Sequence, residues 1–99
     1  LSFGDFYQPD ITKYGGISSF IEIYKDCKKD IKFLTPHYLG SGLGLFASAN
    51  LISGISNIPM EFDITENEIR DEIFKKNLKI HQGKLILNKK PGIGINLNF

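Results

Sequence analysis

The pattern of apolar and polar positions predicts helices alternating with short strands. From Ile17, apolar residues recur at spacings of three and four, as expected for an amphipathic helix. A second helix, apolar on nearly every side and therefore well buried, is expected to begin near Gly42 and to end before Pro59. Alternation of strands and helices favours parallel strands joined by right-handed crossovers. The pattern thus predicts an α/β fold.

A chemically active side chain lies at or just beyond each predicted strand. These side chains are Asp10, His37 and Glu61. The carboxyl ends of parallel strands meet at one edge of a sheet, where α/β enzymes carry their catalytic groups. We therefore expect the three side chains to converge at one rim. The strands themselves are expected at residues 6–11, 31–34 and 60–64.

An aspartate hydrogen-bonded to a histidine is suited to proton transfer. The carboxylate fixes the imidazole tautomer and makes the ring more basic. A further carboxyl group could orient a substrate oxygen. Each residue also has a structural interpretation, and the pattern leaves both open. His37 could be a polar loop residue, Asp10 could cap a turn after Pro9, and Glu61 could be the solvent side of an edge strand.

The last part of the chain is more polar. Residues 66–76 predict either a polar helix, with Ile69 and Phe74 as its apolar anchors, or an irregular arm. The following residues predict a hairpin that turns at Gln82-Gly83. The glycine-rich stretch 40–44 lacks the lysine and hydroxyl residue that end a phosphate-binding loop.

Composition limits the possible partners. The 99 residues are 41% hydrophobic and 23% charged, with a net charge of +1, which is typical of a single domain. The mixed charge gives no electrostatic argument for nucleic acid or membrane binding. The lone cysteine, Cys27, cannot form an intrachain disulfide, so we expect a cytoplasmic protein.

Several motifs resemble the carboxyl-terminal part of the enolase superfamily. Within it, the resemblance is to the mandelate racemase subgroup of the mandelate racemase and muconate lactonizing enzyme family. The motifs fall in the family's order, and the spacing of Asp10 and His37 leaves room for one helix between two strands. They are Gln-Pro-Asp-Ile-Thr-Lys-Tyr-Gly-Gly-Ile at 8–17, Thr-Pro-His at 35–37, Glu61, Gly83, and Pro-Gly-Ile-Gly-Ile at 91–95.

The resemblance implies a fold. Residues 1–77 would be strand–helix units six to eight of a TIM-type (β/α) barrel. Residues 78–99 would form a hairpin tail that packs on a capping domain. The partner of this stretch would then be the rest of the barrel, or a second copy in a homo-oligomer.

The resemblance also implies a reaction. It would begin with abstraction of the proton α to a carboxylate and lead to racemisation or dehydration of a sugar acid. His37 would be the general base and Asp10 its dyad partner. Glu61 would hydrogen-bond the substrate carboxylate as it becomes an enediolate. Lys13 and Tyr38 are candidate substrate-binding residues.

The family's Mg²⁺ ligands and its second base lie on strands outside this stretch. The resemblance therefore implies Mg²⁺ in the full-length enzyme, with no metal ligand from this chain. A positioned base alone contributes about 10²–10⁴-fold, whereas enzymes typically reach at least about 10⁶-fold. We therefore expect the chain alone to be inactive. A rival interpretation is a non-catalytic α/β remnant or interaction module that self-associates through an apolar sheet edge.

Overall fold

The regular elements alternate with extended segments, followed by a hairpin. The computed structural model describes residues 5–27, 34–55 and 58–96. Its helices are α1 (Gly16–Asp26), α2 (Gly42–Ile55) and α3 (Glu68–Asn77), and its strands are β1 (Lys79–His81) and β2 (Lys84–Ile86). None of the helices in these ranges is long and apolar enough to cross a membrane.

The helices at Ile17 and Gly42 are confirmed, and the polar stretch after Thr65 forms a helix rather than an irregular arm. Two consecutive glycines with positive φ, Gly15 at 76° and Gly16 at 79°, lead into α1. Residues with a Cβ rarely adopt this backbone conformation, which explains the glycine pair.

Three extended segments lie beside one another. We call them the first (residues 7–10), second (34–39) and third (58–64) extended segments. Tyr7 and Leu34 form a parallel bridge between the first two. The Thr35 N–H donates to the Tyr7 carbonyl at 2.9 Å, and the His37 N–H donates to the Pro9 carbonyl at 3.3 Å.

The third segment joins the second through the Glu61 N–H, which donates to the Pro36 carbonyl at 3.3 Å. The second segment is therefore central. Pairing in the described residues is an isolated bridge with these few bonds, not the continuous strands that the pattern predicts. Most of the predicted strand at 31–34 lies outside the described residues.

Side chains of the second segment alternate between two faces, as in a strand. Leu34, Pro36 and Tyr38 are buried, whereas Thr35 and His37 are half-buried. The buried face packs on the helices. One core cluster contains Ile11, Phe20, Leu34, Ile52 and Ile58, and a second contains Tyr38, Leu45, Phe46 and Leu78.

The glycine-rich stretch at the start of α2 is a packing feature. A Cβ at Gly40 would lie 2.6 Å from the Tyr38 hydroxyl, and one at Gly44 would overlap the same ring. A Cβ at Gly42 would lie 2.6 Å from the Ile73 Cβ of α3. These glycines therefore let Tyr38 and α3 approach the backbone of α2 closely.

Two asparagines attach the carboxyl-terminal residues to the helices. Asn50 of α2 donates to the Ile93 carbonyl at 3.1 Å. Asn88 donates to the carbonyls of Gly94, at 2.7 Å, and of Asn77, at 3.2 Å. Between these attachments, β1 and β2 pair antiparallel and turn at Gln82-Gly83. The packing of this tail on a capping domain stays a prediction.

Candidate active site

His37 and Glu61 form a close pair on the open side of the extended segments. The His37 Nδ1 lies 2.7 Å from the Glu61 Oε2. The side chains are 38% and 42% exposed, so small molecules can reach them. A carboxylate oxygen only accepts hydrogen bonds, so Nδ1 carries the proton in this contact. In the neutral ring, Nε2 is then left as the proton acceptor.

Gln8 is a third member of this group. Its Nε2 donates to the same Glu61 oxygen, Oε2, at 3.1 Å. We call Gln8, His37 and Glu61 the site face. Sequence reasoning assigned Gln8 no role, although it opens the motif at 8–17. The signal that could have found it is its spacing, because Gln8 lies two residues before Asp10 on the same extended segment.

The sequence predicts that Asp10 pairs with His37, but in the structure Asp10 has other partners. Its Oδ1 accepts from the Thr12 backbone N–H at 2.8 Å and from the Thr12 hydroxyl at 2.7 Å. Its Oδ2 lies 3.3 Å from the Lys13 Nζ. Within the described residues, neither Asp10 nor His37 has a hydrogen bond to the other. The chain turns at Asp10, whose carbonyl accepts from the Tyr14 N–H, so the carboxylate closes this turn instead.

The pKa of Asp10 reflects this environment. Burial raises the pKa, but the hydrogen bonds from the Thr12 side chain and backbone, together with the Lys13 cation, lower it by more. The net pKa lies below the ordinary value of 3.8. The two bonds from Thr12 are those of a turn cap, the structural interpretation that the sequence left open, and a catalytic role for Asp10 stays a prediction.

The two candidate substrate-binding residues lie in different environments. Lys13 is 68% exposed and makes the ion pair with Asp10. Tyr38 is only 9% exposed and packs in the second core cluster. Neighbouring residues of an extended chain point to opposite faces, so Tyr38 lies on the helix side and His37 on the open side. The buried position of Tyr38 argues against direct substrate contact.

A buried arginine holds the chain that follows Glu61. Arg70 is 6% exposed, and its NH1 donates to the carbonyl and carboxylate of Asp63 at 2.8 and 3.0 Å. Its NH2 donates to the Thr65 carbonyl at 2.6 Å, and its Nε donates to Asp71 at 2.9 Å. The guanidinium also lies 5.8 Å from the centre of the Phe62 ring. We call this network the Arg70 anchor.

The Arg70 anchor corrects one expectation for α3. The sequence suggested Ile69 as an apolar anchor, but Ile69 is 68% exposed and the neighbouring arginine is buried instead. Asn67 caps the helix by accepting from the Arg70 N–H at 2.9 Å, and it donates to the Gly40 carbonyl at 3.3 Å. Hydrogen bonds from the Thr65 backbone and side chain hold the pKa of Asp63 below its usual value.

A separate groove of about 530 Å³ lies between α2, the third extended segment and the hairpin. Its walls are mostly apolar and include Ile52, Met60 and Leu85. No residue of the site face lines it. The groove is therefore distinct from the His37–Glu61 pair, which lies on an open surface.

The described residues do not fit a metal ion. Within 5–27, 34–55 and 58–96, no three histidine, cysteine, aspartate or glutamate side chains are arranged to hold one. Mg²⁺ favours carboxylate and phosphate oxygens in near-octahedral arrangement. The site face supplies a single carboxylate, Glu61, which is already paired with His37.

Comparison with known proteins adds a family match. Residues 2–99 match the family model described as enolase C-terminal domain-like. The chain is 30% identical over 93 residues to arabinonate dehydratase from Saccharolobus solfataricus, and this covers 94% of the chain and 25% of the relative. It is 27% identical to D-galactarolactone cycloisomerase from Agrobacterium fabrum, over 95% of the chain and 27% of that protein.

A solved structure supports the fold. The crystal structure of the 3,6-anhydro-D-galactonate cycloisomerase from Zobellia galactanivorans matches with a TM-score of 0.80 and 31% identity. The match covers 95% of this chain and 27% of that one. The chain thus spans about a quarter of the length of the relatives that it matches.

Proposed function

Because the chain belongs to the enolase C-terminal domain-like family, we propose that it forms part of an enzyme that abstracts the proton α to the carboxylate of a sugar acid. The relatives it matches are named as sugar-acid dehydratases and cycloisomerases. The observation that carries the proposal is the contact of 2.7 Å between the His37 Nδ1 and the Glu61 Oε2 on an open face.

His37 is the proposed general base. With Nδ1 protonated toward Glu61, the Nε2 lone pair accepts the α-proton, and the electrons of the broken C–H bond move into the substrate carboxylate to give an enediolate. The imidazolium that forms is stabilised by the adjacent carboxylate. For dehydration, the enediolate electrons then form the Cα–Cβ double bond, and the β-hydroxyl takes the proton of the imidazolium and leaves as water. For racemisation, an acid from outside the described residues would return a proton to the α-carbon on the opposite side.

The other predicted residues keep smaller proposed roles. The Oε1 of Glu61, which has no hydrogen bond within the described residues, could accept one from a substrate hydroxyl. Donation to the substrate carboxylate would require a protonated Glu61. Asp10 and Lys13 act on the site by fixing the turn after the first extended segment. Mg²⁺ remains part of the proposal for the full-length enzyme, where it would neutralise charge on the enediolate. Its ligands would come from outside the described residues.

Exchange of the α-proton for solvent deuterium tests this function. The matching segment of arabinonate dehydratase is replaced by this chain, and exchange of sugar acids is followed by NMR in D₂O. We expect exchange in the chimera and a loss of at least about 10²-fold in its His37→Asn variant, the contribution expected of a general base. Circular dichroism confirms that both proteins fold. Equal exchange in a folded His37→Asn chimera would contradict the assignment.

The chain by itself should not turn over substrate. Incubating the 99-residue chain with Mg²⁺ and a panel of sugar acids should yield no product above the uncatalysed rate. The reason is that a base without the remaining electrostatic stabilisation supplies too little acceleration. Clear turnover by the isolated chain would overturn this expectation.

The rival function, an interaction module, is favoured by exposed apolar side chains. Phe6 is 65% exposed, Ile64 89% and Ile69 68%. Exposed apolar side chains that form one patch mark an interaction surface, here for the rest of a barrel or for a second copy. Analytical ultracentrifugation of the chain separates the interpretations. Self-association with no activity in the chimera favours the module, whereas an active chimera favours the enzyme.

A further inference from the structure

Gln8 and the proposed base, His37, contact the same atom, the Glu61 Oε2. Its amide nitrogen lies 3.1 Å from the Glu61 Oε2, and the His37 Nδ1 lies 2.7 Å from the same oxygen. Both partners must donate, because a carboxylate oxygen accepts only. Oε2 therefore receives two hydrogen bonds, while Oε1 has none within the described residues.

We propose that Gln8 is a positioning residue that holds the Glu61 carboxylate against His37 and thereby keeps Nε2 of the imidazole free to accept a proton. Glu61 has several rotatable bonds and is 42% exposed, so the contact with His37 alone does not fix its carboxylate. A second donor on Oε2 restricts that rotation. The first and third extended segments are thereby tied together across the central one.

The backbone supports this geometry. The His37 N–H donates to the Pro9 carbonyl, next to Gln8, and the Glu61 N–H donates to the Pro36 carbonyl, next to His37. The three side chains thus stand on adjoining extended segments. Asp10 bonds to Thr12 through Oδ1, and its buried Oδ2 has no hydrogen-bond partner within the described residues. The carboxylate that contacts the imidazole in this structure is Glu61.

The inference rests on the proposed function only in naming Nε2 as the atom that takes the substrate proton. The tautomer of His37 can be measured without substrate, metal or activity. Failure of the chimera would therefore not decide the tautomer, and an unexpected tautomer would not exclude sugar-acid exchange. The two claims can fail separately.

The test is long-range ¹H–¹⁵N NMR of the histidine rings in the ¹⁵N-labelled chain, at a pH where His37 is neutral. We expect the Nδ1–H tautomer to predominate. In Gln8→Met, which keeps the side-chain length and removes the donor, the ratio of Nδ1–H to Nε2–H should fall about tenfold, in keeping with the loss of one hydrogen bond to a charged group.

The chain offers a matched control. Its other glutamine, Gln82, is exposed in the hairpin turn, and Gln82→Met should leave the His37 tautomer ratio unchanged. Gln8→Lys, which restores a donor, should recover most of the wild-type ratio. Gln8 is itself exposed, so these substitutions should not unfold the chain. Dispersion of the amide resonances checks this point.

Two outcomes would overturn the proposal. One is a wild-type chain in which the Nε2–H tautomer predominates. The other is a folded Gln8→Met variant with the wild-type ratio. If Gln8→Met were poorly folded, Gln8→Asn would replace it, because the shorter amide keeps the polarity but draws the donor back from Oε2. An unchanged ratio in folded Gln8→Asn would count equally against the proposal.

Discussion

Arg70 and Glu61 are both charged residues with several polar partners, but their surroundings differ. Arg70 is 6% exposed and its nitrogens each have a partner, among them the carbonyls of Asp63 and Thr65. Glu61 is 42% exposed, and one of its two oxygens takes both Gln8 and His37. The Arg70 guanidinium, with all its nitrogens bonded, fixes the backbone. The Glu61 carboxylate leaves its Oε1 and the His37 Nε2 available to a substrate.

The difference shows how a site of few residues is kept in place. The third extended segment carries Glu61 at the open face and, directly after it, Phe62 and Asp63 in the Arg70 anchor. Asn67 extends the anchor to the Gly40 carbonyl in the loop after His37. The buried network therefore positions both sides of the His37–Glu61 pair without touching either side chain.

The largest effect expected from this comparison is the loss of the anchor. Arg70→Met keeps an unbranched apolar stem and removes every donor of the guanidinium. The free energy of unfolding should fall by about 3 kcal/mol, because the Asp63 and Thr65 carbonyls lose a charged donor and hydrogen bonds to charged groups contribute about 1.5–3 kcal/mol each. The Asp63 carboxylate keeps its bonds from Thr65. Urea denaturation followed by circular dichroism measures the loss.

An exposed cation on the same helix, α3, provides the control for the Arg70 anchor. Lys76 pairs with Glu72 at 3.1 Å one turn away, and both side chains are well exposed. Lys76→Met should change the free energy of unfolding by less than about 0.5 kcal/mol. Equal losses in Arg70→Met and Lys76→Met would remove the distinction between a buried anchor and an ordinary surface charge.

Sequence patterns predicted the elements that depend on apolar periodicity. α1 and α2 lie where spacing and glycines indicate them, because burial of one helix side imposes that spacing. α3 was left open between helix and arm, since its apolar residues are sparse and its buried member is Arg70, a residue type that normally lies at the surface. Burial of a charge depends on partners from other segments, which no local pattern reveals.

Of the three residues that the sequence expects at one rim, the structure brings His37 and Glu61 into contact, whereas Asp10 bonds to Thr12. Which carboxylate reaches the imidazole depends on where the first segment turns. Thr12 supplies two hydrogen bonds to Asp10 and closes that turn, so Glu61 is the partner. The roles of these residues in catalysis stay predictions.

A smaller effect tests the contact that seats α3 on α2. Gly42→Ala places a Cβ 2.6 Å from the Ile73 Cβ and 3.2 Å from the Arg70 carbonyl, so α3 must shift. We expect a loss of about 1–3 kcal/mol in the free energy of unfolding. The measurement is again urea denaturation.

The same helix supplies a control of opposite sign. A Cβ at Gly54 of α2 would meet nothing within 4 Å, so Gly54→Ala should stabilise the chain by up to about 1 kcal/mol through its better helix propensity. Stabilisation in both variants would show that α3 is not held closely against α2. The Arg70 anchor would then be less rigid than its hydrogen bonds suggest.

The smallest expected effect is on the pH dependence of the free energy of unfolding. It distinguishes the turn at Asp10 from the Arg70 anchor. The pKa of Asp10 is lowered in the folded chain despite burial, because hydrogen bonds from Thr12 and the Lys13 cation favour the carboxylate. The unfolded state then binds more protons as the pH falls through the ordinary aspartate range. The stability that Asp10 contributes is therefore present above about pH 4 and is lost below it.

Asp10→Asn tests this sign directly. The asparagine keeps an oxygen for the Thr12 N–H, so the turn survives while the titrating charge is removed. We expect a shallower fall in the free energy of unfolding below about pH 4, measured by urea denaturation at a series of pH values.

Part of the pH dependence should remain in Asp10→Asn, because Asp63 of the Arg70 anchor also has a lowered pKa, chiefly through its hydrogen bonds from Thr65. The matched change at exposed Asp26 controls for a general effect of charge. If Asp10→Asn leaves the acid slope as steep as in the wild type, the acid sensitivity belongs to the anchor and not to the turn beside His37.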